Sequence, residues 1–380
     1  MKAPSRIDAS PLARWFWSVD RVALALIAAI LVIGLVILTA AGPAAAQRLK
    51  IDDEFHFLLR QLLFAGPALA LMIGVSLLSP LGARRAGAVV FAASFALLVA
   101  ALFFAPETNG SKRWFYVGAF GLQPSEIAKP GFTIVAAWML AEGARNPSFP
   151  GAAIAGGLFA VLMAMLVTQP DYGQAALLTA VWMTMFFVIG WNWASIVLIG
   201  AGGVGALVCG YFFSPHLARR IDSFLNPEDS AGAYQAQKSL EAFAHGGAFG
   251  RGGEGASVKM QLPDAHTDYV FAVAGEEFGF LLCLVVLALY AALTVRLLMS
   301  ATNQKSLFAQ CAVAGLAAQI GLQSLVNMGV ALRALPAKGM TLPFISYGGS
   351  SLLATAFAFG LALALTRTPQ MVRHRREFMP

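Results

Sequence analysis

Apolar runs of membrane-spanning length, each bounded by charged residues, proline or glycine, recur from one end of the 380-residue chain to the other. A helix rises about 1.5 Å per residue, so about 20 apolar residues cross a hydrocarbon layer roughly 30 Å thick. The pattern predicts ten such helices, near 22–42, 58–79, 86–104, 125–142, 151–168, 173–190, 194–214, 268–295, 306–332 and 341–366. Only the helix-breaking string Gln169-Pro170-Asp171-Tyr172-Gly173 divides the fifth from the sixth. Lipid cannot satisfy unpaired backbone, so this turn is expected at the membrane surface or in a cavity. The first run follows a polar stretch and has full span length, which marks a retained helix rather than a cleavable signal peptide.

Segment 215–267 is too long for a simple connection. It is rich in glycine, yet it also holds Phe224, Tyr234, Leu240 and Phe243. The stretch Tyr234–Ala244 predicts a short amphipathic helix stopped by Gly246-Gly247. The expected fold is an all-α polytopic membrane protein of about ten helices with one long ordered extracytoplasmic loop. Its parts are a cytoplasmic segment at 1–21, a transmembrane domain at 22–366 and a basic cytoplasmic tail at 367–380.

Composition agrees. Apolar residues make up 58% of the chain and charged ones 12%, against roughly 25% charged in an ordinary soluble domain. Too little charge remains for a polar skin, which excludes soluble enzymes and nucleic-acid binders. The net charge of +7 gains meaning once it is split by side. With both ends cytoplasmic, the inner segments hold 13 of the 26 cations but only four of the 19 acids (Asp8, Asp20, Glu142 and Glu377). This is the positive-inside asymmetry. Cys209, Cys283 and Cys311 lie far apart in apolar runs, so they suggest packing and neither a disulfide framework nor a zinc site. No metal ligands are assigned.

Candidate chemistry gathers in the outward segments. Lys112 and Arg113 sit beside Trp114 before the fourth span. They read as an interfacial anchor or as a clamp for an anionic headgroup, with the Arg fork suited to phosphate. Glu126 and Lys129 follow at i,i+3, as a helix-surface ion pair or as charges of a working cavity. Asp264, His266 and Asp268 lie just before the eighth span, where acids also suit a helix N-terminus. Glu276 and Glu277 fall about 12 Å deeper at 1.5 Å per residue and need partners there. The run Leu335–Ser351, with Lys338 its cation and Ser350 among its hydroxyls, predicts a tight outer turn. Gly250-Arg-Gly-Gly-Glu-Gly255 satisfies GxGxxG, but no strand precedes it, so a dinucleotide site is rejected.

Taken together, Lys112-Arg-Trp114, Gln123-Pro-Ser-Glu126, Gln169-Pro-Asp-Tyr-Gly173, Pro263-Asp-Ala-His-Thr-Asp268, Gly275-Glu-Glu-Phe-Gly279 and Pro343-Phe-Ile-Ser-Tyr-Gly-Gly-Ser-Ser351 resemble the SEDS family (shape, elongation, division and sporulation) of bacterial peptidoglycan polymerases. The resemblance spans about 20–367. Pro336-Ala-Lys-Gly-Met-Thr-Leu-Pro-Phe-Ile-Ser346 and Gly252-Gly-Glu-Gly-Ala-Ser-Val-Lys259 look like the cell-division branch rather than the elongation branch. Ala337, Gln174 and Arg333 depart from the family pattern.

The resemblance implies a glycosyltransferase that polymerises lipid II, the undecaprenyl-pyrophosphate disaccharide-pentapeptide, by inverting transfer into β-1,4 glycan. The reaction would take place at the outer face of the cytoplasmic (inner) membrane, at the division septum. A class B penicillin-binding transpeptidase and other division-complex membrane proteins are the implied partners. Asp268 matches the family's essential aspartate. Lys112, Arg113, Trp114, Glu126, Lys129, His266, Lys338 and Ser350 are expected to bind substrate. No cofactor is implied with certainty, and a divalent cation, Mg or Mn, stays open beside the leaving pyrophosphate. A lipid II flippase and a non-catalytic division scaffold are the competing classes.

Overall fold

The computed structural model describes residues 10–108, 111–118, 120–225, 231–336 and 339–367. The end of the N-terminal segment at 1–9, the tail beyond Arg367 and Lys338 lie outside them. Thirteen helices run in the order α1 Pro11–Ser18, α2 Arg21–Arg48, α3 His56–Ser76, α4 Pro80–Phe104, α5 Pro124–Arg145, α6 Gly151–Thr168, α7 Tyr172–Ile189, α8 Trp193–Phe213, α9 Pro215–Leu225, α10 Ala231–Gly246, α11 Val270–Thr302, α12 Leu307–Ala331 and α13 Gly349–Thr366.

Nine helices among the described residues are long and apolar enough to cross a membrane. The one expected span outside these nine, the fourth, is α5, which has the length at 22 residues but is less apolar. It carries Glu126 and Lys129 on a face turned into the protein, where most of α5 is buried alongside α12 and α13. By contrast, α8 buries only Ile196. Trp193, Leu198, Phe212 and Phe213 of α8 are all exposed. A helix apolar on every side is stable only in a core or in lipid, and for α8 the surroundings must be lipid.

Helix ends follow local chemistry. Ser79 caps α4 by accepting from the Gly82 amide at 3.1 Å, so α4 begins six residues before the apolar run. Residues 112–123 hold an unexpected hairpin, with strand β1 (Phe115–Val117) antiparallel to β2 (Phe120–Leu122) and Phe115 opposite Leu122. Apolar residues there alternate at period two, the spacing of a strand. The helix expected at 341–366 starts only at Gly349. Residues 339–348 instead enter the bundle as non-helical backbone, with Phe344 and Ile345 buried.

Bundle polarity is legible from its cross-links. At one end Trp15 Nε1 donates to Ser76 Oγ at 2.8 Å, Arg296 Nε to Asp20 Oδ2 at 2.8 Å and Arg367 Nη2 to the Leu78 carbonyl at 2.7 Å. Both described chain ends therefore lie together. At the opposite end Arg48 Nη1 reaches the Gln261 carbonyl at 3.0 Å. There segment 215–267 folds back as α9, α10 and two short 3-10 turns at Gly253–Gly255 and Val258–Gln261. The predicted amphipathic helix is thus α10, longer by a few residues at each end. Its Ser239 hydroxyl donates to the Ala331 carbonyl of α12, and Phe243 meets Phe271 of α11 at 5.7 Å.

The buried turn at 339–348 depends on side chains for its pairing. Tyr290 Oη donates to the Pro343 carbonyl, Ser346 Oγ accepts from the Leu342 amide at 2.8 Å, and Gln61 Nε2 reaches the Ser346 carbonyl at 3.4 Å. Removing a donor from a buried carbonyl costs about 1–3 kcal/mol. Tyr290→Phe should therefore lower the apparent melting temperature of the detergent-purified protein, while the exposed Tyr116→Phe should leave it unchanged.

Candidate functional site

At the end opposite the described chain ends, four non-helical stretches come together around Asp171 and Asp268, and we call the space between them the cleft. The Gln169–Asp171 turn is tied down by Arg113. Its Nε donates to the Gln169 carbonyl at 2.5 Å, Nη2 donates to the Pro170 carbonyl at 2.7 Å, and Nη1 lies 4.0 Å from Asp171 Oδ1. These carbonyls follow the C-terminus of α6, where a cation is favoured by the helix dipole. Gln123 Nε2 reaches Asp171 Oδ2 at 3.5 Å. Burial pushes the Asp171 carboxyl above its usual range, while Arg113 opposes that shift. Arg113 was expected to clamp substrate. Its fork is instead spent on protein carbonyls, so it shapes the cleft wall. Lys112 is exposed, and the Trp114 ring is half-buried beside Gly121.

Glu126 and Lys129 do not lie on a helix surface; they are 4% and 1% exposed. Lys129 Nζ donates to Glu126 Oε1 at 3.0 Å and to Gln323 Oε1 at 2.9 Å, and Gln174 Nε2 donates to the same Glu126 oxygen. Gln323 Nε2 passes on to the Thr341 carbonyl at 2.9 Å, and Thr341 Oγ1 pairs with Ser351 Oγ at 2.6 Å. Ser350 is also buried, 2% exposed in the first turn of α13. Glu126, Lys129 and Ser350 are therefore buried, with Glu126 and Lys129 committed to protein partners. A buried charge needs such a closed set of partners.

The stretch before α11 is held by its backbone. The His266 carbonyl accepts from the Tyr347 amide at 2.9 Å, the Thr267 carbonyl from Ser346 Oγ at 2.6 Å and the Asp268 carbonyl from Asn327 Nδ2 at 2.9 Å. Asn327 Nδ2 also reaches the Met340 carbonyl at 2.6 Å. Three consecutive residues are thus pinned, two directly to the 339–348 turn and Asp268 through Asn327 of α12, and the Asp268 carboxylate faces Gly339. Neither Asp268 carboxylate oxygen takes a hydrogen bond from a described residue.

Burial pushes the Asp268 carboxyl up to about 7, with Asp264 and Glu126 adding to the shift and Arg220 opposing it. An acid before a helix N-terminus, with cations nearby, would ordinarily stay ionised. Burial without donors outweighs them. His266 goes the other way, as burial between Phe57 and Tyr347 pushes it down to about 4. It is neutral near pH 7, and its Nδ1 is buried without a described partner. It packs as a wedge between these two rings. No cluster of three or more His, Cys, Asp or Glu side chains that could hold a metal ion occurs among the described residues.

Sequence reasoning missed Arg220 of α9. Leu217, three residues earlier, packs against Gly210 beside the Tyr172 ring, which seats α9 over the start of α7. Arg220 is half-buried there, within electrostatic reach of both Asp171 and Asp268. It makes no hydrogen bond or ion pair among the described residues. Its i,i+3 spacing from Leu217 hinted at a helix face, but nothing in the sequence showed what that face covers.

The buried ion pair makes a stability prediction. Breaking one partner of such a pair costs about 3–5 kcal/mol, because a buried charge is stranded. Lys129→Met should sharply lower the melting temperature in detergent. The double change Glu126→Gln with Lys129→Met should recover part of the loss.

A family model described as cell cycle protein, grouping FtsW, RodA and SpoVE, matches residues 20–370. The probable peptidoglycan glycosyltransferase FtsW of Caulobacter vibrioides is 40% identical over 364 residues, covering 96% of this chain and 93% of the relative. Stage V sporulation protein E of Bacillus subtilis is 34% identical, covering 89% of this chain and 94% of the relative. Two solved structures superpose well. A chain from a peptidoglycan synthase complex coordinating polymerization and crosslinking has a TM-score of 0.75 at 31% identity, covering 92% of this chain and 97% of that one. The rod shape determining protein RodA of Thermus thermophilus has a TM-score of 0.68 at 30% identity, covering 92% and 96%. This chain belongs to the FtsW/RodA/SpoVE family, on its FtsW side.

Proposed function

We propose that this chain is a peptidoglycan glycosyltransferase of septal cell-wall synthesis, which extends β-1,4 glycan from lipid II at the outer face of the bacterial inner membrane. The observation that carries the reading is the Asp268 carboxylate, pinned through its backbone, without a hydrogen-bond donor among the described residues and raised to about 7. In the reaction, the acceptor sugar hydroxyl attacks the anomeric carbon of the donor and gives its proton to Asp268. The bond from that carbon to pyrophosphate breaks, and the lipid pyrophosphate departs with the electron pair. Direct displacement turns the α-linked donor into a β-linked product. A general base works best with a pKa near the operating pH.

Charge on the leaving pyrophosphate needs cations. Arg220 is the half-buried, unpaired guanidinium facing the cleft, and Lys112 is an exposed ammonium at its rim. Lys338, outside the described residues, completes the expected set. A Mg or Mn ion would suit a pyrophosphate leaving group here, since such ions need only one or two protein carboxylates. Asp264 would hold it, leaving Asp268 as the base, and it would neutralise the leaving group. The relatives' names and the synthase complex support a penicillin-binding transpeptidase as partner.

A flippase would need polar groups through the full depth of the bundle. The polar track from Glu126 runs through Lys129 to Thr133 and Gln319, which pair at 3.4 Å. At 1.5 Å per residue that is about 10 Å of depth. Against its floor lies a cluster of rings, with Phe132 5.8 Å from Trp182 and Phe159 stacked on Trp182 at 5.0 Å. The one-sided track favours chemistry at one face.

The test is polymerisation of labelled lipid II in detergent by the protein with its transpeptidase, read as glycan on a gel. Asp268→Asn should fold yet lose about 10²–10⁴-fold in rate. The wild-type rate should rise with pH through about 7, because the base acts only when deprotonated, and fall about tenfold per unit well below it. Near wild-type polymer from Asp268→Asn overturns the assignment. Arg220→Gln removes a charge-assisted contact and should raise KM for lipid II roughly 10- to 150-fold. An unchanged KM assigns the leaving group to other cations.

A further inference from the structure

The GxGxxG string rejected as a nucleotide loop has a structural partner, and that partner is a broken membrane helix. Within α11, Gly279 has φ 84° and ψ 174°, far outside helical geometry. In an unbroken helix the Phe280 and Leu281 amides would donate to the Glu276 and Glu277 carbonyls, four residues back. Here a strap of chain is inserted between them. The Phe280 amide donates to the Gly247 carbonyl at 2.9 Å and the Leu281 amide to the Ala248 carbonyl at 3.2 Å. The Glu276 and Glu277 carbonyls accept from the Arg251 and Gly252 amides at 2.9 and 3.2 Å. Four inter-segment bonds replace two helical ones, so none of these four groups of α11 is stranded by the break. A Cβ at Gly279 would run into the Ala248 carbonyl, and one at Gly250 into the Glu277 carbonyl. Both positions also sit at positive φ, which only glycine adopts freely.

The two consecutive glutamates belong to the same joint. Glu276 is fully buried. Its Oε1 accepts from the Val258 amide at 2.8 Å and His245 Nδ1 at 2.8 Å, and its Oε2 from the Lys259 amide at 2.6 Å. Glu277 accepts from the Gly253 amide at 2.7 Å and from Lys259 Nζ. Val258 and Lys259 start the stretch that leads to Asp268; Glu276 stands eight residues beyond it, on the rigid first part of α11. One carboxylate thus fastens both ends of the loop presenting Asp264, His266 and Asp268.

We propose that Glu276 is a positioning residue for the transfer reaction, a buried clasp that closes the Asp268 loop and is itself oriented by His245. The clasp does not touch substrate. It acts by fixing where the Asp268 carboxylate stands over the cleft, and it rests on the reading of Asp268 as the base. A displacement of about 1 Å in a catalytic group is enough to cost on the order of 10²-fold.

The experiment uses the full-length protein with its transpeptidase in detergent and labelled lipid II, with kcat and KM measured per monodisperse folded protein at several pH values. Glu276→Gln presents an amide donor to the Lys259 amide, so the clasp opens on one side. Its kcat should fall about 10- to 100-fold with KM within about threefold, and the midpoint of the pH–rate curve should move away from the wild-type value. His245 is partly exposed, so its variants serve if Glu276→Gln fails to fold. His245→Ala should lower kcat about 3- to 10-fold, and His245→Asn, whose amide nitrogen can stand where Nδ1 stands, should restore it to within twofold. Wild-type kcat and pH midpoint in folded Glu276→Gln overturn the proposal, as does equal activity in the two His245 variants. Asp268→Asn in the same assay separates the two ideas. If it is dead while Glu276→Gln is normal, only the clasp fails; if it is active, the base assignment fails first.

Discussion

Everything at the working end of this protein depends on one constraint: within a membrane, a backbone amide or carbonyl that leaves a helix must find its partner inside the protein. The chain breaks helical geometry at Gln169–Asp171, at Gly279 and across 339–348, and each break is answered by a different device. Arg113 caps the first with its guanidinium. The glycine-rich strap closes the second amide by amide, and Tyr290, Ser346 and Gln61 pair the third. The price is a set of side chains that cannot be moved, and the gain is irregular backbone, able to form a polar cleft, at one end of a helical bundle.

That constraint also sorts the charges. Arg113, Lys129, Glu126, Glu276 and Glu277 are each committed to protein partners. A buried ion stays buried only when it is fully paired, so these groups belong to the frame. Asp268 and Arg220 have no such partner among the described residues. That would be a defect in a structural role, and it supports the proposed substrate site.

The ten helices were legible because span-length apolar runs are the direct signature of the lipid solvent, and α10 because its apolar spacing ended at a glycine pair. Glu276-Glu277 declared itself as needing partners, since two acids at depth cannot stand alone. The partners were not legible. Val258 and Lys259 give backbone amides, which leave no mark in side-chain chemistry, and the strap at Gly247–Gly252 lies some 30 residues before the helix break it fills. The same limit explains Arg113 and Arg220. Sequence shows that a cation faces outward, but only packing shows whether carbonyls have already claimed it.

The position and the basicity of Asp268 have a single origin. Its loop is anchored by the carbonyls of His266, Thr267 and Asp268 itself. Anchoring through carbonyls demands donors from the surrounding elements, and Ser346, Asn327 and the Tyr347 amide spend theirs on the backbone. None of these three is left for the carboxylate. Had the same loop been held through its side chain, the donors would have stabilised the charged form and pulled the pKa below the usual range. Holding the residue by its backbone makes it rigid and, by the same act, basic.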